Sequence, residues 1–153
     1  MSPTSHFPLL RVCRLLNEAG AHYLIAGGQA CILHGLVRTT EDVDLLVEAT
    51  EANCQRVIAA LAQLADGAAR ELTAKDILEN VVVKIADEVE VDVSTHAWKV
   101  TYADAAPNSV QKIIDGVTVP VLGLNELIAS KETYREQDAW DRMRLSDLKR
   151  RLS

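Results

Sequence analysis

The stretch HYLIAGGQACILHGLVRTTEDVDLLVE, residues 22–48, decides the fold of this chain. Its apolar opening predicts a strand that runs into Gly27 and Gly28, and the next apolar run, ending at Gly35, predicts a short helix. A second predicted strand follows, with two aspartates at its start. This order of strand, glycine pair, helix and acidic strand places a glycine turn beside a pair of carboxylates.

The two aspartates, Asp42 and Asp44, flank Val43. Side chains two positions apart in a strand point to the same face, so both carboxylates project together while the valine points into the core. Convergent carboxylates are the ligands that hard cations such as magnesium prefer. The sequence therefore predicts a metal site at the start of this strand.

Gly27 and Gly28 predict a phosphate site next to the carboxylates. Neither glycine has a Cβ, so a phosphate can approach the backbone, and the N–H groups that open a helix can bind an anion. Helices also begin after glycine for purely geometric reasons, and a simple helix start is the competing interpretation. The succession of the two motifs is more specific than either motif alone.

Length and composition predict one globular domain, residues 1–153, in which 48% of residues are hydrophobic and 25% are charged. The net charge of −6 argues against broad, sequence-independent binding to nucleic acid, because such binding depends on lysine and arginine. No apolar run is long enough to span a membrane, and the start lacks a signal-peptide pattern, so we expect no membrane association and a cytoplasmic location. The three cysteines lack metal-binding spacing.

Periodicity along the chain predicts an α/β fold, with a mixed sheet that carries the carboxylates on one face and has helices packed on the other. Helices are predicted at residues 8–18, 51–65, 110–114, 124–135 and 138–152. Further strands are predicted at residues 81–86, 88–94 and 117–122. We expect a hairpin at Asp87, an edge position for Pro120, and a loop with a short helical turn at residues 67–80.

The motif at residues 27–44 resembles the signature of the DNA polymerase beta nucleotidyltransferase superfamily, in which Gly-Gly or Gly-Ser precedes Asp-hydrophobic-Asp. It is most similar to small bacterial members, which include minimal nucleotidyltransferases and relatives of abortive-infection toxins. Many catalytic members carry serine where this chain has its second glycine. The matching positions are Gly27, Gly28, His34, Gly35, Arg38, Thr40, Asp42 and Asp44.

Two weaker matches extend the resemblance over nearly the whole chain. The superfamily pattern needs a third carboxylate between hydrophobic residues on a later strand, where Asp92 fits best and Glu90 is the alternative. Small members often end in a helix with a lysine, followed by an arginine and two aspartates. The matching residues are Leu127, Ile128, Lys131, Arg135, Asp138 and Asp141.

The resemblance implies a nucleotidyltransferase fold with C-terminal helices and a metal-dependent enzyme. Such an enzyme transfers a nucleoside monophosphate from an NTP, such as ATP, to a hydroxyl of a protein, an RNA or a small molecule, and releases pyrophosphate. Asp42, Asp44 and Asp92 are the implied catalytic residues and the ligands of Mg²⁺ or Mn²⁺. In this scheme Asp92 holds the ion on the nucleophile side and is the candidate general base.

Four further residues are implied to bind the nucleotide. Gly27 and Gly28 would seat the β- and γ-phosphates, whereas Arg38 and Lys131 would neutralise charge on the triphosphate or the acceptor. A solvated helix lysine is the competing interpretation of Lys131. His34 fits packing or capping better than catalysis.

Two other functions stay open beside the transferase. One is a non-catalytic binding partner with the same fold in a toxin–antitoxin pair, and the other is a hydrolase that uses water as the nucleophile. A toxin–antitoxin or defence context would imply a cognate protein partner or a homodimer. Candidates for the lining of a base or acceptor pocket, against ordinary packing, are Trp98, Tyr102, Tyr134 and Trp140.

Overall fold

A computed structural model describes residues 7–133 and 135–152 and, at Phe7, the backbone alone. Within these ranges the helices are α1 Phe7–Glu18, α2 Gly27–Leu33, α3 Glu51–Leu61, α4 Ala74–Glu79, α5 Tyr102–Ala105, α6 Leu124–Ser130 and α7 Glu136–Leu152. The strands are β1 Tyr23–Ala26, β2 Val43–Val47, β3 Val83–Ala86, β4 Glu90–Ser94, β5 His96–Ala97, β6 Val100–Thr101, β7 Val110–Ile114 and β8 Val117–Val121.

Six strands form one sheet in the order β3-β4-β2-β1-β8-β7. The pairs β2–β4 and β1–β8 are parallel, whereas the other three pairs are antiparallel. The sheet is therefore mixed and the chain has an α/β architecture, as the sequence predicts. A separate hairpin consists of β5 and β6.

The segment that decides the fold adopts the predicted order. β1 and β2 are antiparallel neighbours, and their register sets Ala26 opposite Asp44. α2 begins at the glycines themselves and follows β1 without a break. The end of β1, where the glycines lie, is thereby next to the acidic start of β2.

The core is continuous between the sheet and two groups of helices. Helix α1 packs against α3 and β8, and α3 packs against α4, whereas α2 contacts β1 and β2 and α6 contacts α7. In α1 the residues at helical spacing, Leu9, Val12, Cys13 and Leu16, are almost completely buried, which explains its amphipathic pattern. No helix in the described ranges is long and apolar enough to cross a bilayer.

The predicted helix at residues 110–114 is wrong, because these residues form strand β7. β7 pairs with β8 through a tight turn in which Asp115 has a φ of 50° and Gly116 a φ of 80°. An Asp-Gly turn with two positive φ angles matches the twist of antiparallel strands, and it favours a hairpin. Burial also alternates along β7, with every second side chain exposed.

Two smaller expectations also change. β8 lies between β1 and β7, so Pro120 is not in an edge strand, although the register between β8 and β1 begins only at Val121. Residues 67–80 are more regular than predicted. They contain a 3₁₀-helix, Ala68–Glu71, and helix α4, where Thr73 and Asp76 form a capping box.

Asn53, a buried polar residue of α3, joins the start of β1 to the end of β2. Its amide oxygen accepts from the backbone N–H of His22 at 2.7 Å, and its Nδ2 donates to the carbonyl oxygens of His22 and Glu48 at 2.9 and 3.0 Å. Only 1% of the residue is exposed, so water does not replace these bonds.

We expect Asn53→Ala to lower the free energy of unfolding by about 2–4 kcal/mol, because it leaves buried backbone groups without partners. Urea denaturation would measure the change. The matched control is Gln55→Ala, on the exposed side of the same helix, which should change stability by less than about 0.5 kcal/mol. Equal effects of the two substitutions would contradict this role of Asn53.

Candidate active site

Four carboxylates form a compact group on neighbouring strands. The parallel register of β2 and β4 sets Asp44 beside Asp92, and the same register, extended by two residues, sets Asp42 beside Glu90. Carboxylate oxygens of Asp42, Glu90 and Asp92 all lie within 4.8 Å of one another. We call these four residues the carboxylate ladder.

Alternation of side chains along the two strands produces this ladder. In β4, Val91 and Val93 are completely buried, whereas Glu90 and Asp92, which alternate with them, remain partly accessible. In β2, Val43 and Leu45 occupy the buried face in the same way. The valines and leucine hold the strands against the core, and the carboxylates consequently share the opposite face.

The ladder concentrates negative charge, and the pKa values of two of its members, Asp44 and Glu90, are raised. Burial, followed by the charge and hydrogen bond of Asp92, raises the pKa of Asp44 to about 6. The hydrogen bond and charge of Asp42 raise the pKa of Glu90 in the same direction. Each of the two pairs, Asp44–Asp92 and Asp42–Glu90, therefore favours a shared proton or a bound cation.

Two lysines supply positive charge near the ladder. Lys84 of β3 lies opposite Asp92, and its Nζ is 3.2 Å from Asp92 Oδ2. The hydrogen bond and charge of Asp92 raise the pKa of Lys84. The charge of Lys131, at the end of α6, offsets part of the rise in the pKa of Asp44. Asp92 Oδ1 is nonetheless buried without a hydrogen-bond partner among the described residues.

Gly27 and Gly28 are packed closely by different residues. Gly27 has a φ of +61°, and a Cβ there would lie 1.8 Å from Asp44 Oδ2. A Cβ on Gly28 would lie 2.8 Å from both Cβ and Oγ1 of Thr40, and 3.3 Å from Cζ of Arg38. The first glycine makes room for a ladder carboxylate, and the second makes room for the segment that leads into β2.

Arg38 and Lys131, the two predicted cations of the nucleotide site, meet at a buried carboxylate of α7. Arg38 Nη1 lies 2.5 Å from Asp141 Oδ2, and Lys131 Nζ lies 3.1 Å from the same oxygen. Lys131 Nζ is also 3.4 Å from Asp138 Oδ1. Asp141 is completely buried and the Lys131 side chain is 9% exposed, so Lys131 is not a solvated helix lysine.

A cleft of about 300 Å³ opens beside the ladder. Its lining combines the glycine turn, two ladder carboxylates, three cations and the β5–β6 hairpin. Of the predicted site residues, it includes Gly27, Asp44, Asp92 and Lys131, but not Gly28, Arg38 or Asp42. Residues of the lining that the sequence reasoning did not single out are Lys84, Ser94, His96, Ser130 and Thr133.

Sequence reasoning thus finds the acidic motifs but misses Lys84. The signal was present, because Lys84 is the one charged residue of the apolar strand β3, and the predicted hairpin places β3 beside the strand that carries Asp92. His34 behaves as the packing interpretation predicts, since its Nε2 contacts the carbonyl oxygen of Leu122 at 2.7 Å. Tyr134 lies outside the described residues.

No protein-family model matches this chain, and no curated protein matches it either.

The raised pKa of Asp44 predicts a pH-dependent stability. Its folded pKa of about 6, against 3.8 ordinarily, means that the folded state binds more protons between about pH 4 and 6. Stability should therefore fall as pH rises through that window and stay low above it. At pH 7.5, without divalent metal, we expect Asp44→Asn to be more stable than the parent by up to about 3 kcal/mol.

Urea denaturation at pH 4 and at pH 7.5 would measure this difference. The advantage of the Asp44→Asn variant should be small at the lower pH and large at the higher one. The control is Asp115→Asn in the exposed β7–β8 turn, where no such dependence is expected. An advantage of equal size at both pH values would contradict the repulsion within the ladder.

Asp141→Asn should lower the free energy of unfolding by about 3–5 kcal/mol, because it leaves Arg38 and Lys131 as poorly compensated charges. Asp147→Asn is the matched control on the same helix. Asp147 pairs with two exposed arginines, its side chain is 45% exposed, and its loss should cost less than about 1 kcal/mol. Thermal denaturation would compare them, and similar losses would contradict the special role of Asp141.

Proposed function

We propose that this protein is a metal-dependent nucleotidyltransferase and that its mixed sheet is a nucleotidyltransferase fold. It transfers a nucleoside monophosphate from an NTP to a hydroxyl of a protein, an RNA or a small molecule. The observation that carries the proposal is the carboxylate ladder at the edge of a cleft that also contains Gly27 and Lys131. Of the residues that the sequence motif singles out, Gly27, Asp44, Asp92 and Lys131 line this cleft, which supports the proposal.

The ladder fits a divalent cation such as Mg²⁺ or Mn²⁺. Its donors are all carboxylate oxygens, which hard cations prefer, and three of them lie close enough to contact one ion. Asp92 Oδ1 is buried with no hydrogen-bond partner among the described residues, and the pKa of Asp44 is raised, so the site has negative charge for a cation to compensate. A divalent cation held by these carboxylates would supply that compensation, and its chemistry would be to lower the pKa of an attacking hydroxyl and to stabilise the leaving pyrophosphate.

The ladder residues and Lys84 have different roles in the proposed site. Asp42, Glu90 and Asp92 have oxygens close enough together to hold one ion, and Asp44, which lies beside Asp92, would complete the group. Asp92, which lies beside Asp44 and lines the cleft, would also accept the proton of the acceptor hydroxyl. Lys84, which bonds the other oxygen of Asp92, keeps that carboxylate oriented.

The triphosphate lies along the cleft in this proposal. Gly27 lines the cleft and offers backbone without a side chain, so phosphate oxygens can approach it. Lys131 and Arg135 provide positive charge on the same lining. Arg38 does not line the cleft. It pairs with Asp141 and packs over Gly28, and so positions the glycine turn.

The cellular setting of the proposal rests on the resemblance in sequence alone. That resemblance favours a cytoplasmic enzyme of a toxin–antitoxin or defence system, in which a cognate protein or a second copy of the chain is the partner. The acidic net charge fits an acceptor that is recognised locally rather than by broad binding to nucleic acid.

We expect Asp42→Asn and Asp44→Asn each to reduce label transfer by about 100-fold or more, because each removes a charge from the metal site without changing side-chain size. The assay incubates the protein with each α-labelled NTP, Mg²⁺ and cell lysate, and follows label into protein, RNA and small molecules. Omission of Mg²⁺ should also abolish transfer.

The matched control for both variants is Asp115→Asn, which makes the same chemical change in an exposed turn where Asp and Asn both tolerate a positive φ. It should retain full activity. Full activity of both ladder variants would contradict the metal assignment. Nucleotide binding without transfer would favour the non-catalytic partner, and release of free nucleotide alone would favour a hydrolase.

A further inference from the structure

The β5–β6 hairpin carries a tryptophan on the lining of the cleft. Trp98 and Lys99 form the turn between the two short strands, and Trp98 lies in the cleft with Gly27, Asp44 and Asp92. The residue is 42% exposed. The indole therefore offers accessible aromatic surface beside the carboxylate ladder.

The backbone at Trp98 supports a role beyond that of the turn. Its φ of 59° lies in the left-handed region, which bulky residues rarely adopt and which favours glycine or asparagine at a hairpin turn. The turn alone does not explain a tryptophan at this position. Residues held in such conformations cluster at ligand sites, where the side chain has a separate role.

The other described aromatic candidates lie elsewhere. Tyr102 is stacked on His22, with ring centroids 6.2 Å apart and an angle of 7° between the planes. Trp140 is 55% exposed on α7 and does not line the cleft. Of the tryptophans and tyrosines in the described residues, Trp98 is therefore the one that lines the cleft beside the ladder.

The lining of the cleft combines two kinds of surface. Asp44, Asp92 and Lys131 supply charge, whereas Ala97 and Trp98 supply apolar and aromatic surface from the hairpin. A nucleoside triphosphate combines two matching parts, a charged triphosphate and, joined to it through ribose, a base with flat, apolar faces. The volume of about 300 Å³ is at the lower end of the range for small-molecule sites.

We propose that Trp98 stacks on the base of the bound NTP and forms a base subsite separate from the triphosphate site. This inference rests on the proposed function, because it takes the ligand from that reaction. Stacking on an aromatic face tolerates every base, since each base has a π-face. Trp98 therefore contributes affinity for a nucleoside over bare triphosphate rather than a strict choice of base.

The first test follows the fluorescence of Trp98 alone. The Trp140→Phe variant leaves Trp98 as the single tryptophan of the chain. With Mg²⁺ present, a non-hydrolysable ATP analogue should quench its emission and the quenching should saturate, because the base covers the indole. Inorganic tripolyphosphate should bind by calorimetry with much smaller quenching. Equal quenching by the two ligands would overturn the base subsite.

The second test compares affinities of full-length variants by calorimetry. Trp98→Ala should bind the ATP analogue about 10-fold more weakly and tripolyphosphate as the parent does, since only the base loses its contact. Trp98→Phe should retain most of the affinity because it keeps an aromatic face. The matched control, Trp140→Ala, should leave both affinities unchanged.

The outcomes separate this inference from the function on which it rests. Equal affinity of Trp98→Ala and the parent for the ATP analogue would overturn stacking, while the nucleotidyltransferase assignment would stand. Failure of the parent to bind either ligand in the presence of Mg²⁺ would overturn both. Equal weakening of both ligands by Trp98→Ala would show that the indole supports the cleft rather than the base.

Discussion

The completely buried carboxylate of Asp141 is the interaction on which the geometry of the site depends. Arg38, from the segment before β2, and Lys131, from the end of α6, both pair with its Oδ2 atom. One side chain of α7 thereby joins the glycine turn, the acidic strand and the last two helices. A buried ion group of this kind adds little net stability, but the loss of one partner leaves charge without compensation. It therefore fixes the arrangement more than it strengthens the fold.

Lys131 connects this buried group to the carboxylate ladder. Its ammonium pairs with Asp138 and Asp141, and its charge also offsets part of the rise in the pKa of Asp44. The ladder itself is unfavourable without cations, because like charges share one face at close range. Lys84 compensates one carboxylate from the other side. The carboxylates of the cleft thus keep part of their mutual repulsion, whereas the charges of the buried group around Asp141 are paired, which is consistent with the proposed cation site.

Local pattern was sufficient for the parts of the fold that depend on nearby residues. β1, the hairpin of β3 and β4, and the amphipathic helix α1 follow directly from periodicity. The short run of residues 110–114 has no periodicity that distinguishes a helix from a strand. The Asp-Gly turn that follows it was the signal for a β-hairpin. The partner of Arg38 was out of reach, because Asp141 is 103 residues away in the chain.

The ladder depends on a register that local sequence does not reveal. β2 and β4 are parallel neighbours separated by two helices and a strand, so nothing in either motif specifies which residues pair. Burial specifies it instead. A slip of one residue would turn Val91 and Val93 to the cleft and drive Asp92 into the core, where burial of a carboxylate is costly. The apolar residues that contact no ligand are therefore the ones that bring Asp44 and Asp92 side by side.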